Sequence, residues 1–283
     1  MELLRGRRER SGGPSYPGWL ALPAVGWYAA FFLAPLAFIF AYSFAELEGF
    51  AGIDFAWNLD NYRYLWNPLY GEVFLRTLGL SLFGTAATLL VGFPFAYWLA
   101  RYAPRKTLLL LLVILPFWTS FLIRTYAWLL ILDPSFPLFR ALDVNLLYSK
   151  EAIYIGVVYN YLPLMVLPLY AALERMDWSL VEAAEDLGDN AFRAFRRVTL
   201  PLSLPGIVAG SLLVFIPLSG EYLIPAILGG NKTAYTGTLI AQQFSEAHDW
   251  PFGSAIAMVV IAGMTIVLVA FSRIAARGEV RHG

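Results

Sequence analysis

The sequence contains no cysteine, which removes disulfides, thiolate metal ligands and cysteine nucleophiles while leaving the redox compartment open. Histidine is nearly as scarce: His248 and His282 stand far apart and read as surface residues rather than as a metal site. Charge is thin as well. Asp, Glu, Lys and Arg together make up 14% of the 283 residues, against about a quarter in a soluble domain. Twenty basic residues balance twenty acidic ones, so there is no overall basic field to recruit nucleic acid.

What is abundant is apolar: 59% of the chain is hydrophobic, gathered in runs rather than in alternating faces. Six runs are long enough to cross about 30 Å of hydrocarbon at about 1.5 Å per helical residue, namely 19–44, 74–100, 107–132, 152–173, 202–228 and 252–274. These predict an all-α polytopic membrane protein with a basic tail at 1–18, a membrane domain at 19–274 and a short tail at 275–283. The first run follows RGRRER like a secretory signal, but it greatly exceeds the apolar stretch of such a peptide and predicts a retained helix.

Orientation follows from the basic residues, because short cytoplasmic loops retain Lys and Arg. With the N-terminus inside, the cytoplasmic set is Arg5, Arg7, Arg8, Arg10, Arg101, Arg105, Lys106, Arg175, Arg193, Arg196, Arg197, Arg273, Arg277 and Arg281. The other side receives Arg63, Arg140, Lys150 and Lys232. Fourteen against four predicts both termini in the cytoplasm, and with them the polar insert at 177–201.

That insert has helical patterning. The stretch 181–187 predicts a short helix, Gly188 a left-handed terminator, and Asp189 or Asn190 the cap of a second helix. In the second helix Phe192, Phe195 and Val198 recur at helical spacing, with Arg193, Arg196 and Arg197 around the remainder. Periodicity alone does not separate a partner-docking face from an amphipathic helix resting on its own membrane.

The residues themselves resemble a known signature. Glu182-Ala183-Ala184, then Gly188, then Val198-Thr199-Leu200-Pro201 is similar to the EAA motif of bacterial ABC importer permeases of type I, with Val where the family often has Ile. LPFWTSFLIRTYAW at 115–128, YNYLPLMVLPLYAALE at 159–174 and DWPFGSAIAM at 249–258 resemble the spermidine/putrescine permease branch. The resemblance implies the six-helix permease fold, a place in the bacterial inner membrane, and a coupling loop that docks in a groove of a cytoplasmic ATPase dimer. In that loop Glu182 would make the polar contact, Ala183 and Ala184 would allow close approach, and Gly188 would make the turn. Phe192, Phe195, Leu200 and Pro201 complete the loop. The resemblance also implies a second permease subunit, a different chain, and an extracytoplasmic solute-binding protein.

GGNKT at 229–233 has a superficial phosphate-loop look, but the earlier glycine of that motif is missing, and it reads as a turn. No cofactor is therefore expected on this chain, and ATP and Mg are expected on the partner ATPase. The protein is expected to be a transport subunit, not an enzyme.

The solute path is less legible. Pro94, Pro116, Pro163, Pro168, Pro217 and Pro225 interrupt the spans, and freed backbone groups at that depth need protein or a wet cavity. Arg124 and Glu221 are ionisable residues inside apolar runs, which marks them as functional candidates. If the spans are continuous, both lie roughly 27 to 30 Å from the cytoplasmic ends of their helices. They then form either an ion pair, the favoured reading because a buried charge needs a partner, or a site where Glu221 meets a cationic solute. Trp118, Tyr126, Tyr159, Tyr161 and Tyr222 offer aromatic faces to such a cation, although each singly reads as packing. Two function classes stay open: the permease of an ATP-driven importer for a small solute, most simply a polyamine such as spermidine or putrescine, and a self-contained secondary transporter or channel. An ABC permease for another small solute is a further alternative.

Overall fold

The computed structural model describes residues 18–49, 52–142 and 144–279. Most of the basic N-terminal tail, with Arg5, Arg7, Arg8 and Arg10, lies outside them, as do Arg281 and His282. Ten helices organise the rest: α1 (Leu22–Tyr42), α2 (Pro68–Arg101), α3 (Lys106–Trp118), α4 (Phe121–Ile131), α5 (Lys150–Glu174), α6 (Ser179–Asp186), α7 (Ala191–Leu218), α8 (Leu223–Leu228), α9 (Thr236–Ser245) and α10 (Trp250–Glu279). A two-stranded hairpin, Glu46–Glu48 with Gly52–Asp54, and a helical turn at Asp60–Tyr64 join α1 to α2, and a further short helix, Pro137–Leu142, lies between α4 and α5.

Among the described residues five helices are long and apolar enough to cross a membrane, and a sixth crossing results if α3 and α4 are one span. Two of the expected runs are not continuous helices. In 107–132 the chain turns by 94° between α3 and α4. Pro116 cannot continue the α-helical hydrogen bonding, Leu115–Trp118 tightens into a 3-10 turn, and Thr119 and Ser120 are extended before the helix restarts. In 202–228, α7 ends at Leu218 one residue after Pro217, and α8 begins at Leu223. Proline shapes the intact spans too. Wider turns with π-type bonding, Ala29–Leu33 in α1 and Phe195–Thr199 in α7, come just before Pro35 and Pro201, which have no N–H to donate.

The bundle centres on α2, α5 and α7. Leu99, Met165, Leu169, Leu173 and Leu218 are fully buried there. Small residues set the spacing: a Cβ on Gly206 would lie 2.8 Å from the Pro168 carbonyl oxygen, and one on Gly210 would lie 2.8 Å from the Met165 sulfur. Such contacts let α5 and α7 approach closely where lipid supplies no hydrophobic drive for helix association. Polar side chains then tie the helices. Thr77 Oγ1 on α2 receives the Thr236 N–H and hydroxyl, each at 2.8 Å, and the Ser219 hydroxyl donates to Ser81 Oγ at 3.0 Å. By contrast, α1 has no fully buried residue among the described residues and meets the rest chiefly along α10, where Tyr42 packs on Trp250. An all-apolar helix of that kind is suited to lipid or to another subunit.

Candidate functional site

The 177–201 insert folds as two helices around a sharp turn. Asp177 accepts the Ser179 N–H at 3.0 Å and opens α6; the bonds from Ser179 hold its carboxyl below the usual carboxylate range. At the other end Gly188 has φ +95°. Its N–H bonds the Glu185 carbonyl at 3.0 Å and the Asp189 N–H reaches back to Ala184 at 3.1 Å, the paired bonds of a Schellman terminator. Asn190 Oδ1 accepts the Arg193 N–H at 2.9 Å and starts the second helix, and Arg197 closes the turn onto Asp189 at 2.8 Å.

The end of α2 holds this unit in place. Phe195 packs edge-on against Phe93 and Tyr97, Trp178 packs against Tyr97, and the Arg101 guanidinium lies over Trp178 while donating to Tyr97 Oη at 2.8 Å. The expected single face of Phe192, Phe195 and Val198 is therefore split. Phe195 and Val198 turn into the bundle, where α2 and its neighbours fill the space, and Phe192 points out with 71% of its surface exposed. Ala184 also packs inward, while Glu182 and Ala183 are exposed, Leu200 is half-buried and Pro201 opens the straight part of α7. Leu187, 90% exposed beside the turn, joins Phe192 as an apolar residue presented to the outside. Sequence reasoning missed it, together with Trp178 and Arg101; a leucine directly before a helix-ending glycine was the available signal.

The second candidate region lies where the two interrupted spans restart. The expected ion pair is absent: Arg124 and Glu221 make no salt bridge with each other among the described residues. Both helices break beside these residues, so a depth counted along unbroken helices does not bring them together. Arg124, 8% exposed, donates through Nη1 to the Pro116 carbonyl at 2.8 Å, and its guanidinium lies over the Phe117 and Phe121 rings; its Nε has no hydrogen-bond partner among the described residues. It thus bridges the 94° bend from α4 back to α3. Glu221, 9% exposed, accepts the Tyr161 hydroxyl at 2.6 Å on one oxygen and the N–H groups of Leu223 and Ile224, at 2.8 and 3.2 Å, on the other.

The expected aromatic set does not surround one point. Tyr161 is buried against Glu221 and Phe121, and Tyr159 packs against Trp128. Trp118, at 79% exposure, is turned outward, and Tyr126 and Tyr222 are about half exposed. Arg76, inside the expected span 74–100 but overlooked as an ionisable residue, pairs with Glu72 one turn away on α2.

Residues 92–278 match the family described as "Binding-protein-dependent transport system inner membrane component". The chain is 39% identical over 256 residues to the spermidine/putrescine transport system permease protein PotB of Haemophilus influenzae, covering 87% of this chain and 90% of that one. It is 38% identical over 258 residues to PotB of Escherichia coli, covering 88% and 94%. The inner membrane ABC transporter permease protein YdcU of Escherichia coli is 32% identical over 239 residues, covering 77% and 76%. In fold, the chain is similar to a chain in the crystal structure of a bacterial ABC transporter involved in the import of the acidic polysaccharide alginate. The TM-score is 0.66 at 16% identity, with coverage of 92% and 96%.

Proposed function

The chain belongs to the family of binding-protein-dependent transport system inner membrane components, and on that premise we propose that it is the permease of an importer for a polyamine such as spermidine or putrescine. Its work is transport rather than catalysis. On this reading a cytoplasmic ATPase dimer holds ATP and Mg, a second and different permease chain lies alongside, and an extracytoplasmic binding protein delivers the solute. Both termini and the Gly188 loop face the cytoplasm.

One observation carries the coupling role: the loop is a braced knob. Its turn is fixed by two backbone bonds and the Arg197–Asp189 pair, its base is clamped by Phe93, Tyr97 and Arg101, and it exposes Leu187 and Phe192 at its tip and Glu182 on α6. A preorganised projection with apolar residues at its tip loses little entropy on entering a groove, so its binding energy is available for transmitting movement. A self-contained transporter or channel leaves such a knob without a use. The solute class is supported by the printed names of the Haemophilus and Escherichia relatives.

The test is reconstitution of the chain in vesicles with its neighbouring permease, ATPase and binding protein. Uptake of labelled spermidine or putrescine that requires ATP and the binding protein is expected. ATP-dependent uptake of a different solute class, with neither polyamine transported, would overturn the solute assignment and leave the permease assignment standing.

A further inference from the structure

The two interrupted spans restart at one side chain. Phe121, the first residue of α4, holds its ring 6.3 Å from the ring of Tyr161, and Glu221, two residues before α8, accepts the Tyr161 hydroxyl at 2.6 Å. Tyr161 is on α5, in the centre of the bundle, and is nearly fully buried.

The start of α8 is capped from within the chain. An α-helix begins with four N–H groups that have no helical partner. Here Leu223 and Ile224 donate to Glu221 Oε1 and Pro225 has no N–H, and Ala226 makes the first helical bond, to the Tyr222 carbonyl at 3.0 Å. The backbone of the break is also held. A Cβ on Gly237 would lie 2.5 Å from the Gly220 carbonyl oxygen and 2.7 Å from that of Glu221, so α9 rests directly on the break, and Ser219 is tied to Ser81 on α2. From this start α8 packs against both α4 and α5.

The Glu221 carboxylate therefore receives three hydrogen bonds from its own chain. One lone-pair site remains on the oxygen that accepts from Tyr161, but the residue is 9% exposed, and an ammonium group there would compete with the Tyr161 hydroxyl for the same oxygen. We infer that Glu221 and Tyr161 are positioning residues that together form a pivot setting α4 and α8 as one unit, and that Glu221 is not the counter-charge of a cationic solute. The pivot follows from geometry alone; the transport arm of its test rests on the importer reading.

The test uses the whole reconstituted importer, with hydrogen exchange followed in peptides covering residues 121–125 and 223–226 alongside uptake of labelled spermidine. Glu221→Gln keeps an oxygen for both N–H groups, and its amide can donate to a Tyr161 hydroxyl that now accepts. Uptake and exchange within about twofold of wild type are expected for it. Glu221→Leu removes the acceptor, and exchange at Leu223 and Ile224 should rise about tenfold while uptake falls comparably. Tyr161→Phe, the milder change, keeps the ring against Phe121 and loses the O–H; exchange should rise at 223–226 and stay constant at 121–125. Tyr161→Leu should raise both.

Loss of uptake in Glu221→Gln with wild-type exchange would identify Glu221 as a solute ligand and overturn the inference. Unchanged exchange at 223–226 in Glu221→Leu, or at 121–125 in Tyr161→Leu, would overturn the pivot. If the wild-type assembly takes up no spermidine, the polyamine reading falls, and the exchange measurements still decide the pivot.

Discussion

Gly188→Val tests the coupling loop at the position where a single backbone angle holds its shape. Gly188 adopts φ +95°, and nothing lies within 4 Å of where its Cβ would sit, so side-chain volume costs nothing there and only the backbone conformation is at stake. An L-residue held in the left-handed region costs roughly 1–2 kcal/mol, with β-branched residues worst. Escaping to negative φ instead forfeits the bonds from Gly188 to Glu185 and from Asp189 to Ala184, about 1 kcal/mol each. By either route the docking-competent turn loses about 2 kcal/mol, roughly a thirtyfold fall in ATPase affinity. The assay is the amount of ATPase copurified with the permease, together with ATP-driven uptake in vesicles. A graded series is expected: Gly188→Asn near wild type because asparagine tolerates this region, Gly188→Ala intermediate, and Gly188→Val lowest, with membrane insertion intact throughout. Glu182→Lys, a charge reversal at an exposed position of α6, should weaken the same association without disturbing the turn. Full ATPase recovery and uptake in both Gly188→Val and Glu182→Lys would refute the coupling role. An Asn variant as damaged as the Val variant would refute the conformational argument, since the position would then act by contact.

Three further outcomes are expected. Reporter tags inserted near Asn190 should read cytoplasm and those near Asp60 the opposite face; an extracytoplasmic Asn190 would reverse the orientation deduced from the basic residues. Combining Arg124→Glu with Glu221→Arg should rescue neither single variant in a thermal-denaturation cycle, because the two side chains do not pair; recovery of stability in the double variant would contradict their separate hydrogen bonding. Thr77→Val should lower stability by about 1–3 kcal/mol, since it leaves the buried Thr236 N–H without an acceptor. Thr88→Val is the control, because Thr88 bonds only the Gly84 carbonyl of its own helix, and equal melting shifts for the two would rule out the α2–α9 tie.

Composition and one-dimensional pattern determined a good deal by themselves. Whether a run is long and apolar enough to cross a bilayer is a local sum over about twenty residues, so the membrane class and the approximate spans were legible without coordinates. The Gly188 turn was legible for the same reason: its glycine, the preceding helix and the Asn190 cap lie within a dozen residues and act through local backbone geometry. The breaks in the spans at 119–120 and 219–222 were not legible. Proline marks where a helix can break, but whether it does depends on whether the freed N–H and carbonyl groups find partners, and the side chains that supply or flank those partners are held from far along the chain. Glu221 is satisfied by Tyr161, sixty residues away; Ser219 meets Ser81 at a separation of 138, and Thr236 meets Thr77 at 159. The assumption of continuous helices placed Arg124 and Glu221 at one depth and paired them, whereas packing gave each its own partners. The same holds for Phe195: helical spacing put it on a face with Phe192, and only the end of α2, brought alongside by the fold, decided that one ring would be covered and the other left outside.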